Sequence, residues 1–229
     1  LAAGVVHEIN NPLATISACA ESLEARLNEG EFDGSPSRED LREYLGLIRS
    51  EAFRCKSITM GLLDFSRTRT SDHTTIDISD VIRSAERLLS HQKRTAAVEF
   101  RLEIADDLAH VSGDPGQLQQ AIIALATNAL DAMSDNGGVL TISAQNDEAK
   151  VVIEVSDTGI GIPAENLTKI FEPFFTTKEI GQGTGLGLAV CYGILTEHGG
   201  SLNVQSTLGT GTTFTITLSA VNLNEEQRV

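Results

Sequence analysis

From Ile9 onward the apolar residues of the N-terminal segment fall at Leu13, Ile16, Ala20, Leu23 and Leu27, at spacings of 4, 3, 4, 3 and 4. That alternation is the seam of a helix that packs along its length against another helix. A second stretch repeats it through Leu41, Leu45, Ile48, Ala52, Cys55, Thr59 and Leu62, with Ile58 and Phe65 broadening the stripe. Between them, Asn28 to Ser37 holds two Gly and a Pro, and Ser37 with Asp40 resembles a capping arrangement for the second helix. The first third of the chain therefore reads as a helical hairpin. One hairpin buries a single seam, so pairing with a second copy into a four-helix bundle is expected, which makes the chain a homodimer.

After about Thr70 the periodicity changes, and the boundary is placed at Asp72, giving a hairpin over residues 1–72 and a second domain over 73–229. In the second domain strand and helix signals alternate. Val98 to Glu103 reads as a strand, Pro115 to Met133 as an amphipathic helix, and Val139 to Ala144 and Val151 to Val155 as strands flanking turn residues Asn146 and Asp147. Leu186 to Glu197 is helical and ends at Gly199-Gly200, and Leu202 to Ser206 and Thr212 to Leu218 pair around Gly209-Thr210-Gly211. The fold class is α+β, with a helical layer on a largely antiparallel sheet.

Charge narrows the partners. The 229 residues carry 17 Lys+Arg against 32 Asp+Glu, a formal charge of -15, the wrong sign for a chain whose partner is nucleic acid or an anionic membrane. No apolar run approaches the ~20 residues of a membrane span, and no basic-then-apolar signal peptide opens the sequence. The chain begins at Leu1 inside a patterned segment and reads as a piece of a longer protein, so a membrane-tethered parent stays open while this piece is expected to lie in the cytoplasm without membrane contact. Cys19, Cys55 and Cys191 are far apart and show no CxxC spacing, which suits small apolar residues in a reducing compartment.

Three glycine clusters lie in the second domain: Asp157-Thr-Gly-Ile-Gly161, Gly181-Gln-Gly-Thr-Gly-Leu-Gly187 and Gly209-Thr-Gly211. Their number suggests backbone approached closely by a ligand, with N–H groups free to cradle phosphate. The middle cluster runs into the helix Leu186 to Glu197, whose N-terminus favours a polyphosphate even in an acidic domain. No Gly-Lys-Ser/Thr follows, and no third glycine completes a dinucleotide fingerprint, so the P-loop and Rossmann folds are excluded.

The order of these pieces closely resembles the sensor histidine kinases of two-component systems. His7-Glu-Ile-Asn-Asn-Pro-Leu13 looks like the H box, Thr127-Asn-Ala-Leu-Asp-Ala-Met133 the N box, and Asp157-Thr-Gly-Ile-Gly-Ile-Pro163 the first glycine box. Ile170-Phe-Glu-Pro-Phe-Phe-Thr-Thr-Lys178 resembles the F box, Gly183-Thr-Gly-Leu-Gly-Leu188 the second glycine box, and Gly209-Thr-Gly-Thr-Thr-Phe214 the last. The resemblance implies a dimerising phosphotransfer hairpin joined to a Bergerat-type α/β sandwich that binds ATP with Mg²⁺, a fold shared with gyrase, a heat-shock chaperone and a mismatch-repair ATPase. It also implies a response regulator receiver domain as partner.

Heptad position b puts His7 on the solvent side of its helix, open to a phosphate donor. A neutral imidazole nitrogen can attack the γ-phosphate in line, and Glu8 beside it is the candidate base. By resemblance Asn11 orients a water that dephosphorylates the regulator, and the Asn128 side-chain oxygen is a Mg²⁺ ligand. A second Asn expected one turn earlier is Ala124. An ionised Asp157 is acceptor-only and so suits the adenine amine over a guanine oxygen. Gly159 and Gly161 would let backbone meet the base, and Thr212 or Thr213 would complete the pocket. Gly183, Thr184, Gly185, Leu186, Gly187 and Leu188 would line the nucleotide as part of a lid over Glu165 to Gly187. Phe171, Phe174 and Phe175 fit either a latch for that lid or plain core, and Lys178 fits either phosphate or solvent.

Two other readings remain beside the autokinase. A degenerate nucleotide-binding module is motivated by Ala124, and a gyrase-like ATPase clamp shares the glycine boxes but has no need of the His7-Glu8 helix. Asp64-Phe65-Ser66 lacks the loops of a Ser/Thr kinase, and His73, His91, His110 and His198 read as structural or surface residues.

Overall fold

The computed structural model describes residues 2–28, 40–52, 55, 59, 74–90, 97–178 and 185–221, the side chains of residues 2–8, 27 and 28 lying outside that description. The chain divides into two compact units, Leu1–Arg67 with Thr176–Leu186, and Thr68–Phe175 with Gly187–Val229.

In the helical unit α1 (Ala2–Asn28) runs on through Pro12, and α2 covers residues 40–52. Near the end of α1 the Arg26 guanidinium meets the Asp40 carboxylate at the start of α2 at 2.8 Å and stands 6.0 Å from the Tyr44 ring centroid. The covered stripe of α1 is Pro12, Ile16, Cys19 and Leu23, not the full expected seam. Of the seam residues with described side chains, Ile9, Ile16 and Leu23 are covered, while Ala20 is exposed and Leu13 is 47% exposed. A hairpin supplies one neighbouring helix per helix, so half of a two-sided stripe stays bare. Leu45, at 52% exposure on α2, belongs to the same surplus.

The second unit is a helical layer on a five-stranded sheet. Its strands are β2 (Val98–Ile104), β4 (Gly138–Asp147), β5 (Lys150–Asp157), β6 (Ser201–Thr207) and β7 (Gly211–Ser219), in the order β2-β4-β5-β7-β6. Only β2 and β4 run parallel, the helix α4 (Pro115–Ala132) crossing between them, and every other neighbour is antiparallel. A two-stranded ribbon of β1 (Thr74–Ile76) and β3 (Val111–Gly113) forms a second sheet, bridged from Val111 to Ala220 just after β7. Three helices, α3 (Ile78–Ser90), α4 and α5 (Gly187–Glu197), form the other layer. The core is the interface: Val81, Ile82, Ala85 and Leu89 from α3 and Leu118, Ile122 and Leu125 from α4 join Ile142, Ile153 and Ile216 of the sheet. The other sheet face is polar, with Ser143, Glu154, Ser156, Thr213 and Thr215 half-buried, as an antiparallel sheet with one solvated face allows.

The β4–β5 turn differs from the sequence expectation. Asn146 and Asp147 lie inside β4, and the hairpin turns at Glu148-Ala149, with Glu148 in the left-handed region at φ 52°. Asn146 instead ties down the connection after β2: its side-chain oxygen accepts the Ala109 N–H and its amide donates to the Asp107 carbonyl, both at 2.9 Å. A side chain able to replace two backbone partners is as useful at a strand end as in a turn.

The start of α4 is fixed by Asp114, whose carboxylate accepts the Gly116 and Gln117 N–H groups ahead of a Pro at N1. The Asp114 N–H in turn donates to His198 Nε2 at 3.0 Å, and His198 Nδ1 lies 2.8 Å from the Ile194 carbonyl. His198 is thus a buried strut between the end of α5 and the start of α4, the structural role its isolation in sequence suggests. Gly199, at φ 66°, closes α5.

Candidate functional site

The inner face of the sheet is built of cross-strand rows. One runs Val204, Phe214, Val155, Ile142, Leu102, and the next Leu202, Ile216, Ile153, Ala144, Ile104, all apolar. The row at the β5 C-terminal end breaks this rule: after Phe100 and Leu140 it continues Asp157, Thr212, Ser206. Two of these, Asp157 and Thr212, are among the few buried polar residues in the described part of the chain, at 7% and 6% exposure. Three adjacent polar side chains on a face that is otherwise core mark it as a place where something other than packing is wanted.

Asp157 Oδ1 accepts the Gly159 N–H at 2.8 Å. Burial pushes its pKa above the usual carboxylate range, against the opposite pull of hydrogen bonds from the Gly159 and Thr212 backbone N–H groups. The two threonines considered for this pocket separate. Thr212 stands beside Asp157 on the helix-covered face, whereas Thr213 pairs with Ser156 on the opposite face, their hydroxyls 2.8 Å apart. Strand alternation forbids both from facing one pocket, so Thr213 is removed from the site.

The loop Thr158–Pro163 crosses the mouth of this row and is tied on both sides. Toward the helices, the Ile160 N–H donates to the Ala132 carbonyl at the end of α4 at 3.1 Å. Toward β6 and β7, the Gly209 N–H donates to the Ile160 carbonyl at 2.7 Å and the Ile162 N–H to Ser206 Oγ at 2.7 Å. The glycines serve these close approaches. A Cβ on Gly159 would meet the Ala132 carbonyl, one on Gly161 the Thr207 carbonyl, and one on Gly211 the Asp157 carbonyl. Gly161 and Gly211 also lie at φ 70° and 137°, where a side chain is strained. Here the expected reason for the glycines changes: they admit neighbouring protein backbone. Of the described glycines in these clusters, Gly187 at the first turn of α5 and Gly209 at φ 78° have open space around their Cβ positions.

Asn128 lies half-buried on α4, one turn before Ala132 and so on the stripe that reaches the glycine loop. Ala124, a further turn back, packs against the core. Among the described residues no group of three or more His, Cys, Asp or Glu could hold a metal, and the donor that Asn128 itself offers is a single amide oxygen. Such a donor fits a hard cation that keeps water and phosphate oxygens as its remaining ligands.

After the loop the chain forms a short 3₁₀ helix, Ala164–Asn166, and then the turn Glu172-Pro173-Phe174-Phe175, closed by a 3.2 Å bond from the Phe175 N–H to the Glu172 carbonyl. Phe174 sits at φ 70°, a position that turns of this kind usually give to glycine. Phe171 and Phe175 pack on the core, and Phe171 meets the Tyr192 ring of α5 at 5.5 Å between centroids. Leu188, on the first turn of α5, also packs against the core.

In the helical unit, Asn11 is exposed on α1 and its carbonyl accepts the Thr15 hydroxyl at 3.3 Å. His7 and Glu8 fall within α1, their side chains outside the described residues, and Gly183 and Thr184 lie outside them altogether. Lys178 is exposed, its N–H bonded to Thr176 Oγ1, while Gly185 at φ 64° precedes a buried Leu186. Sequence reasoning overlooked Ser206 and Ala132. Ser206 was open to detection, since the alternation Leu202, Val204, Ser206 puts a polar residue at an inner-face position.

Comparison with known proteins matches residues 1–71 to the His Kinase A (phospho-acceptor) domain and residues 113–222 to the histidine kinase-, DNA gyrase B- and HSP90-like ATPase domain. The catalytic domain of the histidine kinase ThkA is 33% identical with a TM-score of 0.58, the match covering 65% of this chain and 95% of that one. This chain belongs to the histidine kinases. Sensor kinase CckA of Brucella abortus is 40% identical over 100% of the chain and 24% of its own length. Sporulation kinase E of Bacillus subtilis is 34% identical over 100% and 29%, and sensor histidine kinase ZraS of Escherichia coli 34% over 95% and 44%. The chain thus spans less than half the length of these histidine kinases. The ThkA histidine kinase in complex with response regulator protein TrrA, at TM-score 0.73 and 28% identity, matches 96% of this chain and 61% of that one. Among the described residues of this histidine kinase no helix is long and apolar enough to cross a membrane.

Proposed function

We propose that the chain is the phosphotransfer and ATP-binding core of a protein-histidine kinase, with residues 1–72 as the dimerising hairpin and 73–229 as the catalytic domain. The observation that carries the reading is the buried polar row headed by Asp157 under a strapped glycine loop, in a chain whose first helix bears His7-Glu8-x-x-Asn11. Asp157 accepts a hydrogen from the adenine amine, Thr212 stands beside it, and Gly159 and Gly161 shape the loop over the base. The first turn of α5, with Gly187 and Leu188, faces the phosphates, with Gly183 to Leu186 and Lys178 as further contacts from the lid. Asn128 holds Mg²⁺, which when bound neutralises charge on the phosphate oxygens.

A ring nitrogen of His7 attacks the γ-phosphorus of ATP. The N–P bond forms as the bond to the bridging oxygen breaks and ADP leaves, while Glu8 takes the imidazole proton. The phosphoryl group then passes to an aspartate of a response regulator receiver domain, the kind of partner seen in the ThkA complex. Asn11 orients a water that hydrolyses the aspartyl phosphate of that regulator, releasing inorganic phosphate and the free carboxylate. The exposed Leu13 and Leu45 support a homodimer, in which a second hairpin covers them. The piece works in the cytoplasm.

The test is incubation with Mg-ATP, followed by intact mass measurement for a phosphate adduct labile in acid and stable in base. An adduct lost in both His7→Ala and Asn128→Ala is the expected result. ATP turnover that survives His7→Ala without any adduct would instead indicate an ATPase clamp.

A further inference from the structure

Ser206 Oγ touches three groups at once: the Ile162 N–H at 2.7 Å, the Gly211 carbonyl at 2.9 Å and Thr212 Oγ1 at 3.0 Å. A serine hydroxyl has one hydrogen to give and two lone pairs to receive with. The Ile162 N–H can only donate, so it takes one lone pair. The Gly211 carbonyl can only accept, so it takes the single hydrogen. What remains for Thr212 is the second lone pair, and the threonine must therefore be the donor in that contact.

The consequence falls on Thr212. With its hydrogen held by Ser206, its hydroxyl has only lone pairs left to offer. Its cross-strand neighbour Asp157, on the same face, is likewise an acceptor when ionised. Two acceptors side by side fit a ligand edge that brings two hydrogens, an exocyclic amine, and repel one that brings a carbonyl oxygen.

We infer that Ser206 is a positioning residue that fixes the polarity of the Thr212 hydroxyl, and through it the preference of this site for a 6-amino-purine over a 6-oxo-purine nucleotide. The inference rests on the adenine reading proposed above. Ser206 itself touches no nucleotide. It holds the loop by Ile162, the β7 end by Gly211, and the direction of one hydrogen bond by Thr212.

The test measures dissociation constants for ATP and inosine triphosphate by calorimetry on the whole chain and on Ser206→Ala, Ser206→Thr, Thr212→Val and the Ser206→Ala/Thr212→Val double variant. The native chain is expected to prefer ATP, Ser206→Ala to reduce that preference by roughly tenfold, and Ser206→Thr to restore it. Thr212→Val is expected to show the same loss, with no further loss in the double variant. An equal weakening of both nucleotides in Ser206→Ala would make Ser206 a loop strap only and overturn the inference. If Ser206→Ala does not fold, Thr212→Val decides alone, since it leaves the bonds to Ile162 and Gly211 intact, and an unchanged ratio there overturns the inference. A native chain that binds ATP no better than inosine triphosphate would overturn the adenine reading itself, a result distinguishable from failure of the Ser206 role.

Discussion

Gly159 lies against the end of α4 so closely that a Cβ would come within 2.7 Å of the Ala132 carbonyl oxygen, the same oxygen that accepts the Ile160 N–H. The atom met is backbone, which has no rotamer to give way. Gly159→Ala is therefore expected to push the loop off α4, lowering stability by about 1–3 kcal/mol and weakening ATP binding at least about tenfold. Thermal unfolding and nucleotide titration of the same variant check both.

Asp157→Asn is expected to move stability and function in opposite directions. A carboxyl whose folded pKa is raised binds its proton more firmly in the folded state, so its contribution is fully present below the unfolded value and is lost as pH rises through the folded one. At neutral pH ionised Asp157 thus detracts from stability. Asparagine keeps an oxygen for the Gly159 N–H without the buried charge, and a gain of roughly 1 kcal/mol with loss of ATP binding is expected. Denaturant melts at neutral pH, run beside nucleotide titrations, test the pair of outcomes.

The same shift sets a pH dependence of binding. The ionised carboxylate is acceptor-only and the stronger acceptor for the adenine amine, and burial makes Asp157 protonate above the usual carboxylate range. ATP affinity is expected to fall as the pH is lowered from neutral, while ordinary carboxylates are still ionised. Calorimetric titrations at stepwise lower pH, in which affinity stayed flat until ordinary carboxylates protonate, would remove Asp157 from base recognition.

His198→Ala removes the acceptor of the Asp114 N–H and leaves a hole between α4 and α5. A loss of about 2–4 kcal/mol is expected in urea melts. Gly113, whose Cβ would collide with the His198 ring, has no bulk with which to refill the space.

Cys191 is fully buried, and burial raises its thiol pKa to about 12. Mild alkylation of the folded chain is expected to leave it unmodified while the half-buried Cys55 reacts, as read by peptide mass after digestion.

Much of the fold was legible because its signals are periodic. The α4 pattern from Pro115 and the alternation of β5 and β7 each bury one face, and a face can be read from spacing alone. The turn at Glu148-Ala149 was not legible, because Asn146 and Asp147 have turn chemistry that Asn146 uses on a distant connection. The glycine clusters marked the right loops for an incomplete reason. A missing Cβ does not say whether ligand or protein comes close, and at Gly159, Gly161 and Gly211 it is protein. Ser206 went unnoticed because its role depends on three partners from separate segments, which only the folded sheet brings together.

The chain carries five histidines, and the proposed phosphorylation of His7 requires the others to be poor competitors. At His198 the structure supplies a chemical reason. Its Nε2 lone pair is engaged by the Asp114 N–H, and its Nδ1 hydrogen points to the Ile194 carbonyl, so neither nitrogen is available as a nucleophile. The strut that joins two helices also silences an imidazole in the ATP-binding unit itself.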